Sequence, residues 1–164
     1  MKVFITGASS GIGAALAKHY ASQGATLGLV ARRGELLQEL AAKLNIPVAT
    51  YAIDVRNADA LDQAAQDFIG RYGVPDIVIA NAGVSRGTLT ENKEDSAAAR
   101  AIIDINFLGM VHTFQPFIAA MRRAGQGTLV GIASVAGIRG LPGAGAYSAS
   151  KAAVVSYLES LRIE

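Results

Sequence analysis

The sequence predicts an α/β domain with a doubly wound parallel sheet, and three observations carry that reading. Five short runs rich in β-formers are apolar almost throughout instead of alternating, as strands covered on both faces are. A longer helical pattern returns the chain after each run, the order that brings successive strands parallel. A glycine-rich turn, Gly7 to Gly13, joins the first run to the first helix.

Taken in order, Lys2-Val3-Phe4-Ile5-Thr6 is β-branched and aromatic and reads as the first strand. The helix that follows, residues 11–23, stops at Gly24. Residues 26–31 form the second strand, and the helix 35–44 runs into Asn45-Ile46-Pro47, which ends it. Strand 48–53, helix 58–72 and strand 76–80 continue the alternation. The polar, charged stretch 85–96 reads as a surface loop. Helix 95–123 is apolar over much of its circumference, with Phe107, Met110, Phe114, Phe117 and Met121, as expected of a helix covered on several sides. Strand 128–133 and helix 147–164 close the chain. Neither an internal repeat nor a linker interrupts it, so one domain, residues 1–164, is expected. Doubly wound dinucleotide folds commonly have six or more strands and five are legible here, so the domain is expected to lack its C-terminal strands.

Composition narrows the function. Of the 164 residues 51% are hydrophobic and only 17% charged, which favours a compact core. Fifteen basic against 13 acidic residues give a net charge of +2, with no basic run longer than Arg32-Arg33 or Arg122-Arg123, so nucleic acid is a poor partner. The chain has no cysteine, which excludes disulfides and thiolate chemistry, and neither His19 nor His112 has a partner at metal-ligand spacing. The apolar stretch at the start is too short for a signal peptide, and no segment holds the ~18 uninterrupted apolar residues of a membrane span. A soluble, cytoplasmic protein without a membrane is expected.

The turn Gly7-Ala8-Ser9-Ser10-Gly11-Ile12-Gly13 carries binding chemistry. Gly7 and Gly11 let the backbone turn sharply and approach a ligand, Gly13 lets the new helix pack on the sheet, and the free N–H groups at the helix start face an anion. A pyrophosphate fits that place; an ordinary strand-to-helix turn is the alternative. Ile12 stands where a nucleoside-triphosphatase loop would have its lysine. About twenty residues on, where a ribose carboxylate would stand, the second strand ends in Ala31-Arg32-Arg33. Two cations there favour a 2′-phosphate, hence NADP(H) over NAD(H). Glu35 could serve a ribose hydroxyl, but better fits a first-turn carboxylate complementing its helix dipole.

Tyr147 and Lys151 are four residues apart on one helical face. The ammonium can stabilise the phenolate, which makes the tyrosine usable as acid and base near neutral pH. Ser134 lies thirteen positions upstream, and Ser148 and Ser150 are alternative hydroxyls.

Thr6-Gly7-xxx-Gly11-Ile12-Gly13, Asn81-Ala82-Gly83, Ser134 and Tyr147-xxx-Lys151, in this order, resemble the short-chain dehydrogenase/reductase family over nearly the whole chain. The resemblance implies a Rossmann fold that binds a nicotinamide cofactor and catalyses reversible carbonyl reduction. In it Ser134 would polarise the substrate carbonyl, and Tyr147 would move the proton. Lys151 would support Tyr147 and contact the nicotinamide ribose, while Asn106 would hold a water relay. Asp54, followed by Val55, is similar to the carboxylate that contacts the adenine amino group, and Asn81, Ala82 and Gly83 to the turn beside the adenosine. Ala80 stands where many relatives have a further asparagine. The resemblance also implies a small carbonyl or alcohol substrate and a homodimer or homotetramer formed through the long helix and the helix from Tyr147. Two further readings stay open: a non-catalytic NADP(H)-binding regulator, and epimerase or dehydratase chemistry on the same fold.

Overall fold

The computed structural model describes residues 1–164. The elements run β1 (Lys2–Thr6), α1 (Gly11–Ser22), β2 (Thr26–Ala31), α2 (Gly34–Ala41), β3 (Val48–Ala52), α3 (Ala58–Tyr72), β4 (Ile77–Ala80), α4 (Asp95–Ile103), α5 (Gly109–Ala124), β5 (Thr128–Gly131) and α6 (Gly145–Leu161). The five strands form one parallel sheet in the order β3-β2-β1-β4-β5. This is the expected doubly wound, Rossmann-type α/β fold, and it brings β1 and β4, distant in sequence, side by side.

Successive residues of β1 point to opposite faces, and each face has its own core. Val3 and Ile5 pack with Leu27, Leu29, Leu37 and Leu40 beneath α1 and α2. Phe4 points the other way, into a core built with Phe68 of α3 and Phe114, Phe117 and Met121 of α5. Its ring meets Phe117 at 4.8 Å and stands edge-on to Phe68 at 5.5 Å between centroids, separations at which aromatic pairs attract.

The expected single helix 95–123 is interrupted. A five-residue π-helical turn, Asp104–Leu108, separates α4 from α5. At its end Gly109 passes so near the loop after β3 that a Cβ would stand 2.6 Å from Val55 Cγ2, a close approach the apolar pattern does not reveal. The run Asp95–Ala124 has the length and mean hydropathy of a membrane span, yet here Ile102, Phe114, Phe117 and Met121 are buried within the fold. The last helix begins at Gly145, two residues before Tyr147, and ends at Leu161. β5 stops at Gly131 because its neighbour β4 ends at Ala80, in register with it.

Gly28 in the centre of β2 faces the aromatic core. A Cβ there would overlap the Phe4 ring and lie 2.8 Å from Phe68 Cδ2. Gly28→Ala is therefore expected to destabilise the fold by about 1–3 kcal/mol through overpacking, read from the denaturant midpoint; an unchanged midpoint would show that the two rings have room to move.

Candidate active site

The site lies outside the C-terminal ends of β1 and β4, where the sheet order reverses direction, the usual ligand crevice of such sheets. After Thr6 the chain turns through Gly7 (φ 68°) and Gly11 (φ 54°) into α1. A Cβ on Gly7 would stand 2.7 Å from Ala82 Cα, and one on Gly13 would overlap the Gly7 carbonyl oxygen, so both positions exclude any side chain. Asn81 causes the crowding. Its Nδ2 donates to the carbonyls of Thr6 (3.1 Å) and Gly7 (3.2 Å), and its own N–H donates to Thr6 Oγ1 (3.2 Å). Asn81 thus ties the β4 turn to the glycine-rich turn.

At the start of α1 Ser10 makes no side-chain cap, and no acidic residue occupies the first turn. The positive end of the helix and its free N–H groups face the crevice unneutralised. Arg33 adds a cation, its Nη2 donating to Ser9 Oγ (3.2 Å) and Ser10 Oγ (3.0 Å). A cleft of about 310 Å³ opens here, and every residue predicted at the adenosine and phosphate end lines it except Gly11 and Gly13, which shape the turn. Ala31, Ile53, Val84 and Ile105 add apolar wall that no motif marked. Free N–H groups for an anion, two arginines and an apolar slot for a flat ring fit a dinucleotide.

Asp54 lies on the wall in an arrangement the sequence did not announce. Arg56 grips its carboxylate, Nε to Oδ1 at 3.0 Å and Nη2 to Oδ2 at 2.7 Å, and the Arg56 N–H adds a third bond to Oδ1 at 3.0 Å. These bonds hold the carboxyl below its usual range. With its pKa depressed in the fold, the pair's contribution to stability is full above the ordinary carboxylate pKa and is lost as pH falls through the folded value.

Lys151 and Tyr147 stand beside this cleft. Lys151 is buried, and its Nζ donates to the Ile132 carbonyl (2.7 Å) and lies 5.8 Å from the Tyr147 ring centre. Burial lowers its pKa. An ammonium has three donors, so two remain for other partners. Gly83 connects the cleft to this group, since a Cβ on it would stand 3.4 Å from Asn106 Oδ1 and 3.7 Å from Lys151 Nζ. Ser134 opens a short 3₁₀ turn, Val135–Gly137, and its Oγ accepts from the Ala136 N–H (3.2 Å), which leaves the hydroxyl proton to donate. Gly137 seats that turn on α6: a Cβ would lie 2.7 Å from the Lys151 carbonyl carbon.

The structure adds detail to three readings. The Asn106 side chain braces the structure: Oδ1 accepts from Val84 N–H (2.8 Å), and Nδ2 donates to Val84 O (2.9 Å) and Ser150 Oγ (3.0 Å). Its amide is thereby occupied, and the π-helical turn delivers it there. Ser150 Oγ donates to the Tyr147 carbonyl, which occupies its proton, and Ser148 Oγ accepts from Leu141 N–H; both side chains are buried. His112 Nδ1 lies 3.2 Å from the Val55 carbonyl, a packing contact as expected.

The family model of short chain dehydrogenases matches residues 1–164. The chain belongs to the short-chain dehydrogenase family. It is 40% identical over 166 residues to 11-beta-hydroxysteroid dehydrogenase 1A of Arabidopsis thaliana, covering 99% of this chain and 47% of that protein. It therefore spans about half the length of that relative. Among solved structures it resembles the alcohol dehydrogenase of the archaeon Thermococcus sibiricus complexed with 5-hydroxy-NADP, with TM-score 0.88, 32% identity, and 99% and 71% of the two chains covered. It also resembles an NAD+-bound xylitol dehydrogenase, with TM-score 0.90, 26% identity, and 98% and 63% covered.

Asn81→Ala is expected to lower stability by about 1–3 kcal/mol, because the carbonyls of Thr6 and Gly7 lose their donor in a part-buried setting. Urea unfolding measures this; a loss well under that range would mean that water replaces the amide.

Proposed function

We propose that this protein is an NADP(H)-dependent oxidoreductase that interconverts a small carbonyl compound and its alcohol. The observation that carries the reading is the joining of two halves: the cationic glycine-rich cleft reaches, through Gly83, the buried Lys151, whose Nζ lies 5.8 Å from the Tyr147 ring centre. A non-catalytic binder has no need of the second half.

The residues divide the work. Gly7 to Gly13, with the α1 N–H groups, hold the pyrophosphate, Arg33 and Arg32 the 2′-phosphate, and Asp54 with Val55 and Asn81 to Gly83 the adenosine end. A bound nicotinamide supplies or accepts the hydride. Ser134 donates its hydroxyl proton as a hydrogen bond to the substrate oxygen. Tyr147 Oη passes its proton to that oxygen as it becomes alkoxide in reduction, and takes it back in oxidation. Lys151 places its charge 5.8 Å from the Tyr147 ring centre and offers its remaining N–H donors to the nicotinamide ribose. Relatives with NADP-type and NAD-type ligands both exist, and the position of Arg33 over Ser9 and Ser10 supports the phosphorylated cofactor. Met110, Phe114, Phe117 and Met121 are core; a homodimer or homotetramer would instead use the outer side of the long helix and α6, where Leu108 of the π-helical turn and Val155 of α6 are exposed. The cytoplasm suits such an enzyme.

Screening NADPH oxidation against a panel of ketones and aldehydes tests the activity. Tyr147→Phe is expected to lower kcat by about 10²-fold or more while the NADPH dissociation constant changes little; wild-type turnover in this variant would remove Tyr147 as acid and base. Arg33→Asp is expected to shift the ratio of NADPH to NADH dissociation constants by about tenfold toward NADH, because charge-assisted hydrogen bonds are lost. A ratio that stays put would leave the cofactor preference without support.

A further inference from the structure

Arg56 belongs to no motif in the sequence, yet it makes the tightest ion pair of the molecule, and it does so at the cleft. Of the two salt bridges in the fold, Arg71–Asp67 spans 3.4 Å on the surface of α3, whereas Arg56–Asp54 closes to 2.7 Å. Both side chains are partly exposed, 49% for Arg56 and 26% for Asp54, and pairs so placed contribute little to folding. Its geometry is better explained by orientation.

A carboxylate offers about four acceptor positions. Arg56 fills two on Oδ1, with its N–H and Nε, and one on Oδ2, with Nη2. One position, on Oδ2, is left. Asp54 is also the only acidic residue on the wall of the cleft. The loop beneath is stiff: Asn57 N–H donates to the Asp54 carbonyl (2.9 Å), and Asn57 Oδ1 caps α3 through the Ala60 N–H (3.0 Å). Arg32 adds a weaker electrostatic attraction to the same carboxylate, and Asp104 of the π-helical turn adds one to Arg56.

We propose that Arg56 is a positioning residue, which holds Asp54 away from Arg32 and presents its remaining Oδ2 acceptor position to the exocyclic amino group of the cofactor's adenine. The inference rests on the cofactor reading above and adds to it the residue that sets base selectivity. An acceptor-only carboxylate welcomes the adenine amino group and repels the carbonyl oxygen that replaces it in hypoxanthine. Freed from Arg56, the carboxylate turns toward Arg32 and this discrimination falls.

The test compares dissociation constants of NADPH and its hypoxanthine counterpart, by fluorescence titration of the unaltered chain and of Arg56→Lys, Arg56→Gln and Asp54→Asn. The unaltered chain is expected to favour NADPH by about tenfold, the size of one hydrogen bond to a charged group. The preference should vanish in Asp54→Asn, fall to about twofold or less in Arg56→Gln, and be partly rescued in Arg56→Lys, which keeps one charged donor. If Arg56→Gln proves unfolded by circular dichroism, the lysine variant decides, because loss of the bidentate grip alone must reduce the ratio. Equal weakening of both ligands, or an undiminished ratio, overturns the proposal. So does an unaltered chain that binds both ligands equally, although the cofactor reading then stands; failure of that chain to bind NADPH overturns the cofactor reading itself.

Discussion

The tie between the ends of β1 and β4 sets the geometry of everything around it. Asn81 donates its side-chain amide to the backbone carbonyls of Thr6 and Gly7 and its own N–H to the Thr6 hydroxyl oxygen. Thr6 is buried, so these bonds form away from competing water, where an unmade bond is costly. The tie draws two turns to a separation at which only glycine fits at positions 7 and 13. From it follow the direction of α1, the exposure of its first N–H groups, and the place of Gly83 against Asn106 and Lys151.

Electrostatics then separates the two halves. At the cleft the charges stay in contact with solvent and with each other: Arg33 on the serines of the turn, Asp54 in the grip of Arg56. Around Tyr147 the single charge is buried, and desolvation pulls the pKa of Lys151 down. A buried ammonium is tolerated because the Ile132 carbonyl accepts one of its protons. The brace that runs Val84 to Asn106 to Ser150 to the Tyr147 carbonyl joins the β4 turn, the π-helical turn and α6. It holds the tyrosine's backbone carbonyl.

Much of this was legible in the sequence because glycine and proline leave strong local marks. The parallel, doubly wound sheet followed from apolar runs and helical returns, and the sharp turn through Gly7, Gly11 and Gly13 from their spacing. What stayed hidden depends on tertiary distance. The π-helical turn has no propensity signal, and the close approach of Gly109 to Val55 at its end is a tertiary contact. Gly137 and Gly28 look like any glycine until a helix backbone or an aromatic ring is seen in the space of the missing Cβ. Arg56 reads as a solvated charge two residues past Asp54, and only folding of that loop turns it into a clamp. Asn106 was recognised, but the bonding of its amide to Val84 was beyond a reading along the chain.

The central claim is that a phosphorylated dinucleotide lies across the joined ends of β1 and β4. Two-dimensional ¹H–¹⁵N NMR of the chain titrated with NADPH tests it most directly. The account predicts that the backbone amides of Ser10 to Gly13, Arg33, Asp54, Val55, Ala82 and Gly83 shift together with a single dissociation constant, while those on the outer face of α3 stay in place. Shifts confined to other surfaces, with the glycine-rich turn unmoved at saturation, would contradict it.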